Sequence, residues 1–191
     1  MKRIICLYGG PGSGKSTTAS GVFYRAKTLG LNAELNREYV KNWAWEDRKV
    51  KPGDQTYLFA KQSRTERILM EKGVDLVITD SPLVLTHFYG MKYDKFEQEF
   101  NTSLIMLKHH HEICKHYGYK VDHYFIARQK EYNPSGRWET EDQAKTIDLE
   151  IVKMLSDLGI KYSTIGLEGS PVASIMADIH IRKHIRKQTQ G

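Results

Sequence analysis

Six mostly apolar residues, Arg3–Tyr8, lead straight into Gly9-Gly10-Pro11-Gly12-Ser13-Gly14-Lys15-Ser16-Thr17, and a helical stretch comes next over 15–29. The segment fits G-x-x-x-x-G-K-S/T between a strand and a helix. Its glycines let successive backbone N–H groups turn inward around one anion, and the helix adds the positive end of its dipole. The pattern predicts a phosphate cradle formed by Gly9, Gly10, Pro11, Gly12, Ser13, Gly14, Lys15, Ser16 and Thr17. Lys15 is expected to reach the β- and γ-phosphates of a nucleoside triphosphate, and the Ser16 hydroxyl to ligate Mg²⁺.

The rest of the chain repeats the alternation. Segments 31–35, 74–79, 121–127 and 161–165 read as further strands. The strands at 3–8, 74–79 and 121–127 are apolar on both faces, as a sheet covered by helices on each side requires. Helical stretches are expected over 55–72, 95–117, 139–158 and 170–187. Gly30, Gly73, Gly118 and Gly159 stand just after four of the helix ends, where a left-handed residue closes the last turn at least cost. Strand–helix alternation implies an α/β fold with a parallel, doubly wound sheet. Only 36–54 and 128–138 are long and irregular, and loops of that length in a compact domain are usually functional.

Composition narrows the setting. Of 191 residues, 29 are Lys or Arg and 23 are Asp or Glu, a formal net charge of +6. Arg182, Lys183, Arg186 and Lys187 lie in a C-terminal segment, 180–191, that contains no acid. That basic helix, expected at about 170–188, reads either as a solvated end complementing its own dipole or as a contact for a polyanion. No apolar run approaches the ~20 residues of a membrane helix, and no secretory h-region comes after Met1. Cys6 and Cys114 form neither a disulfide framework nor a CxxC pair. The expectation is one cytoplasmic domain over 1–191 with no membrane partner and an open oligomeric state.

The third strand ends in Val77-Ile78-Thr79-Asp80-Ser81-Pro82. A carboxylate at the carboxyl end of such a strand, in the ligand crevice of an open α/β sheet, can hold Mg²⁺ or accept a proton from an attacking hydroxyl. Asp80 can equally cap the segment that begins at Ser-Pro. The fourth strand leads into a turn-rich loop at about 128–138 framed by Arg128 and Arg137. Guanidinium groups closing over a transferring phosphoryl would stabilise its charge, and a closing flap would exclude water.

These features together resemble the P-loop nucleoside and nucleotide kinases. The phosphate loop, a carboxylate after the second strand (Arg37-Glu38-Tyr39), the strand-end Asp80 and the arginine-bearing lid occur in the family's order. The similarity is greatest to nicotinamide riboside kinase-like proteins and to phage kinases that phosphorylate 5-hydroxymethyluracil in DNA during thymidine hypermodification. It implies a three-layer fold with a five-stranded parallel sheet of order 2-3-1-4-5, ATP and Mg²⁺ as cofactors, and γ-phosphoryl transfer to a hydroxyl of a nucleoside-type acceptor. In such kinases a carboxylate at the position of Glu38 serves as base, so Glu38 and Asp80 are rivals for that role. Ser16 and Asp80 are the expected metal ligands.

Arg37, Trp43, Gln62 and Arg64 are the expected acceptor-side residues. Trp43 and Trp45 can stack on a base or pack their loop onto the domain. Gln62 lies on the apolar stripe Leu58, Thr65 and Leu69, with Arg64 on its flank. It either pairs with a base edge, as a Gln on this helix does in nucleoside kinases, or is satisfied by neighbouring backbone. The run His109-His110-His111 reads as part of a core helix rather than a metal site. The stripe Phe96, Phe100, Leu104, Leu107, His111 and Cys114 turns His111 inward and His109 and His110 away.

Three functions remain open. Basic charge and the tryptophan loop favour 5-hydroxymethyluracil in DNA as acceptor. Gln62 and the compact size favour a small nucleoside, a nucleotide or nicotinamide riboside. A third possibility is an NTP-driven switch or ATPase module acting on a protein partner; the arginine-bearing lid and the lack of a guanine-reading N/T-K-x-D motif argue against a GTPase switch.

Overall fold

The computed structural model describes residues 2–129, 132, 133, 135 and 139–188, with side chains described through Ile179. The central sheet has five parallel strands: β1 (Arg3–Tyr8), β2 (Ala33–Asn36), β3 (Leu76–Thr79), β4 (Lys120–Ile126) and β5 (Ser163–Ile165). Their order is β2-β3-β1-β4-β5, as the resemblance implied. β1 is central, pairing Ile4 with Val77 on one side and with Val121 on the other.

Alternation along β1 builds both faces. Ile5 and Leu7 pack with Ala19, Val22 and Ala26 of α1 (Lys15–Thr28) and with Ile175, Met176 and Ile179 of α8 (Pro171–Gln188). Ile4, Cys6 and Tyr8 point the other way. They meet residues of α3 (Asp54–Glu71), α4 (Leu83–Tyr93), α6 (Thr102–His116) and α7 (Glu141–Asp157). Two short helices, α2 (Lys41–Trp45) and α5 (Lys95–Phe100), complete the set. β1 and β3 are buried throughout, whereas β4, expected to be apolar on both faces, is buried only at Tyr124 and Ile126, with Val121 and Phe125 half-buried and Lys120 exposed. All four glycines expected at helix ends have positive φ, between 65° and 75°.

Several expectations are corrected. The stretch 95–117 is not one helix: it breaks at Asn101, whose backbone is left-handed (φ 50°). The break shifts the register of α6 against α5, so His110 is buried while His111, Phe96 and Phe100 are exposed. His110 Nε2 pairs with Glu66 Oε2 at 2.9 Å, and Asn36 Nδ2 donates to Glu66 Oε1 at 3.2 Å. The buried face of α3 carries Leu58, Gln62, Glu66 and Met70, leaving Thr65 exposed. The helix α4 has no counterpart among the expected elements, its sequence being too uniformly apolar to display a helical period. No helix among the described residues is long and apolar enough to cross a membrane.

Candidate active site

The carboxyl ends of β1, β2 and β3 open on one cavity of about 1130 Å³. Its inner wall is the phosphate loop, from Pro11 to Thr17. Gly12 has φ +78°, and a Cβ there would sit 2.9 Å from the Tyr132 ring and 3.2 Å from the Arg128 guanidinium. Only glycine meets both demands. Lys15 Nζ donates to the carbonyls of Gly9 (2.6 Å) and Gly10 (3.1 Å), so the ammonium lies across the loop it is expected to serve. Ser13 Oγ is buried and has no hydrogen-bond partner among the described residues. An orphaned hydroxyl costs free energy unless a ligand satisfies it. Together with the inward-turning loop it fits a phosphate group.

Across from Lys15 stand two carboxylates, each delivered by a strand end. Asp80 comes directly after β3, is 4% exposed, and accepts a hydrogen bond from the Glu38 backbone N–H at 3.0 Å. It does not cap the next helix, because the N-cap of α4 is Pro82, without a side-chain cap. Glu38 lies just beyond β2 and lines the cavity. Burial pushes the Glu38 carboxyl above the usual range, opposed by the charge of Lys15 and reinforced by that of Asp80. Burial likewise pulls the Lys15 ammonium below its ordinary value, with Glu38, Asp80 and Asp148 opposing. Lys15, Glu38 and Asp80 thus form one electrostatic cluster. The Ser16 hydroxyl on the wall and the Asp80 carboxylate are hard oxygen donors, the chemistry Mg²⁺ requires.

The acceptor-side residues divide. Gln62 is buried, lines the cavity, and donates to Thr79 Oγ1 at 3.3 Å, while Gln55 and Thr86 line the same wall. Trp43 does not line it. The ring is 4% exposed, stacks on Tyr57 at 6.3 Å, and is covered by the Arg48 guanidinium at 3.5 Å. It anchors its loop, and the indole on the cavity wall is Trp45, 66% exposed. Arg37 and Arg64 are exposed and off the cavity wall. Lys41, Lys49 and Lys51 line the outer wall, a feature that the count of charges in 36–54 alone did not single out.

Arg137 lies outside the described residues. Arg128 is engaged with protein: Nη1 donates to the Pro11 carbonyl at 2.9 Å, and Nε and Nη2 donate to Asp148 Oδ2 at 3.1 and 2.8 Å. Asp148 is a site residue that no motif marks. Its only signal in the sequence is its place one turn after Ala144, beside the inward Ile147 and Ile151.

A family model described as an AAA domain matches residues 4–170. No curated protein sequence matches the chain. Among solved structures, the NadR protein in complex with NR is similar at TM-score 0.58 and 15% identity, covering 89% of this chain and 47% of that one. NadR in complex with NAD and AMP-PNP gives TM-score 0.59 at 15% identity, covering 89% and 45%. The chain therefore spans about half the length of NadR. The Mycobacterium tuberculosis APS kinase CysC in complex with AMPPNP and APS has TM-score 0.50 at 12% identity, covering 95% of this chain and 98% of that one. These likenesses establish a shared P-loop kinase-like fold. With its family model spanning 4–170, the chain belongs to the AAA-domain family.

Proposed function

We propose that the chain is an ATP-dependent kinase that transfers the γ-phosphoryl group to a hydroxyl of a nucleoside-type acceptor. The observation that carries this reading is the convergence of Lys15, Ser16 and Glu38 on a single cavity, with the buried Asp80 bonded to the Glu38 backbone and acting on the charge of Lys15. Bound Mg·ATP would supply the electrophilic phosphorus and the leaving group. The loop amides and Lys15 would hold the phosphates, and Ser16 with Asp80 would hold the metal. Glu38 has the better claim as base, because Asp80 already accepts the Glu38 backbone N–H. It would take the acceptor proton as the new oxygen–phosphorus bond forms and the bond to ADP breaks. Arg137 of the lid would attend the transferring oxygens. Positioning and electrostatics would supply most of the rate.

The favoured acceptor is the 5-hydroxymethyl group of 5-hydroxymethyluracil in DNA. Lys41, Lys49, Lys51 and the exposed Trp45 on the outer wall support it, since lysines beside an aromatic ring suit a nucleic-acid strand. Gln62, aimed at the same cavity, supports the alternative of a small nucleoside or nicotinamide riboside. Incubation with γ-labelled ATP, duplex DNA containing 5-hydroxymethyluracil, unmodified DNA and a panel of free nucleosides separates them. Label only on the modified polymer is the expected result. Label on a free nucleoside would replace the DNA acceptor with a small one, and label on nothing would remove the kinase reading.

A further inference from the structure

We propose that Asp148 is a positioning residue for the phosphate loop, acting through Gly10 and Arg128. Its carboxylate joins three elements at once. Oδ1 accepts the Gly10 backbone N–H, and Oδ2 accepts both Nε and Nη2 of Arg128. The same guanidinium donates to the Pro11 carbonyl at 2.9 Å and to the Ala144 carbonyl at 3.4 Å, so each of its nitrogens is occupied. Both side chains are largely buried, at 12% and 16% exposure.

The consequence for the loop is geometric. A loop that turns amides inward must find partners for the groups that turn outward. The Gly10 N–H and the Pro11 carbonyl are two such groups, and Asp148 and Arg128 satisfy them. Contact is close: a Cβ on Gly10 would lie 2.6 Å from the Ala144 carbonyl and 3.0 Å from Asp148 Oδ1. The start of α7 is itself fixed by a capping box, in which the Gln143 N–H donates to Thr140 Oγ1 and the Thr140 N–H to Gln143 Oε1. Asp148 thus transmits a fixed helix to the arm of the loop.

The consequence for charge is separate. A bare carboxylate behind an anion site repels the anion, and Asp148 acts on the charge of Lys15 across the loop. Arg128 offsets it, so that the pair adds little net charge near the phosphates. In this arrangement Arg128 serves by neutralising Asp148 and not by touching the transferring group.

The proposal rests on the loop's receiving a triphosphate, and binding of Mg·ATP without acceptor tests it. Calorimetric titration is made on the unmodified chain, Arg128→Gln, Asp148→Asn and the double variant, with a melting curve for each. Arg128→Gln leaves the carboxylate bare and should weaken ATP about tenfold, whereas the double variant, which removes both charges, should return to within about threefold of the unmodified chain. A double variant as weak as Arg128→Gln would overturn the proposal, because the loss would then follow Arg128 itself and not the charge left bare on Asp148. So would an unaltered Arg128→Gln. Should Arg128→Gln not fold, Asp148→Ala and Asp148→Asn decide. Asn keeps an acceptor for Gly10 and should bind several-fold more tightly than Ala, and equal affinities would refute the role. Failure of the unmodified chain to bind ATP would remove both this proposal and the reading of the loop. Tight ATP binding without phosphorylation of any acceptor would remove only the kinase assignment.

Discussion

Glu38 is where the sequence, its burial and its chemistry meet most closely. As a carboxylate after the second strand it was legible from the sequence only as one of two rivals. Burial gives it a raised pKa, and the backbone bond from its own N–H to Asp80 makes the surroundings of the two acids different. A base must be ionised to act, so activity should rise with pH through the raised pKa. The acid limb of kcat/KM should lie above the usual carboxylate range, and Glu38→Gln should lose that limb and about 10²–10⁴ in kcat. A limb at the ordinary value with Glu38→Gln fully active would hand the role to Asp80. Gln62 was legible because a polar residue on an apolar stripe needs partners. The two nearby indoles, in contrast, look alike in sequence. Only packing decides that Trp43 is buried beneath Arg48 while Trp45 lies on the cavity wall.

At the scale of elements, strand identity and the glycine stops came directly from local chemistry, since both depend on residues adjacent in the chain. The helix break at Asn101 did not. Asparagine enters the left-handed region more easily than most residues, but nothing local obliged it to do so here. Ser103, Leu107, His110 and Cys114 face inward on the second helix, so a continuous period run through His111 conceals the His110–Glu66 pair. Burial alone would lower the His110 pKa. Side-chain hydrogen bonds to Cys114 and Glu66, with the Glu66 charge, outweigh it and raise the value from 6.5 to about 10. A raised folded-state pKa means stability that is full below the unfolded value and lost as pH rises through the folded one. The stability of the unmodified chain, followed by melting curves, should therefore fall between pH 6.5 and about 10 relative to His110→Gln, by an amount on the order of a few kcal/mol. Parallel curves for the two proteins across that window would contradict the charged pair.

Across the whole molecule, the sheet order 2-3-1-4-5 is what brings the separated motifs together. Placing β3 and β1 side by side sets Asp80 near the phosphate loop, and β2 beyond β3 carries Glu38 to the same edge. That order was legible only through the resemblance to the P-loop kinases, because the phosphate loop itself demands no more than a strand before it and a helix after it. The tie from α7 to the loop was not, because Asp148 and Gly10 are 138 residues apart and share no motif. The proposed kinase couples ATP cleavage at this edge to phosphorylation of an acceptor hydroxyl. The most direct test of that coupling is stoichiometry: ADP formed against phosphomonoester gained on the acceptor, in the unmodified chain and in Lys15→Ala. A kinase gives one phosphomonoester per ADP, negligible ADP when acceptor is withheld, and loss of both products in Lys15→Ala. ADP and inorganic phosphate released at the same rate with or without acceptor would contradict that coupling and make the chain an ATPase.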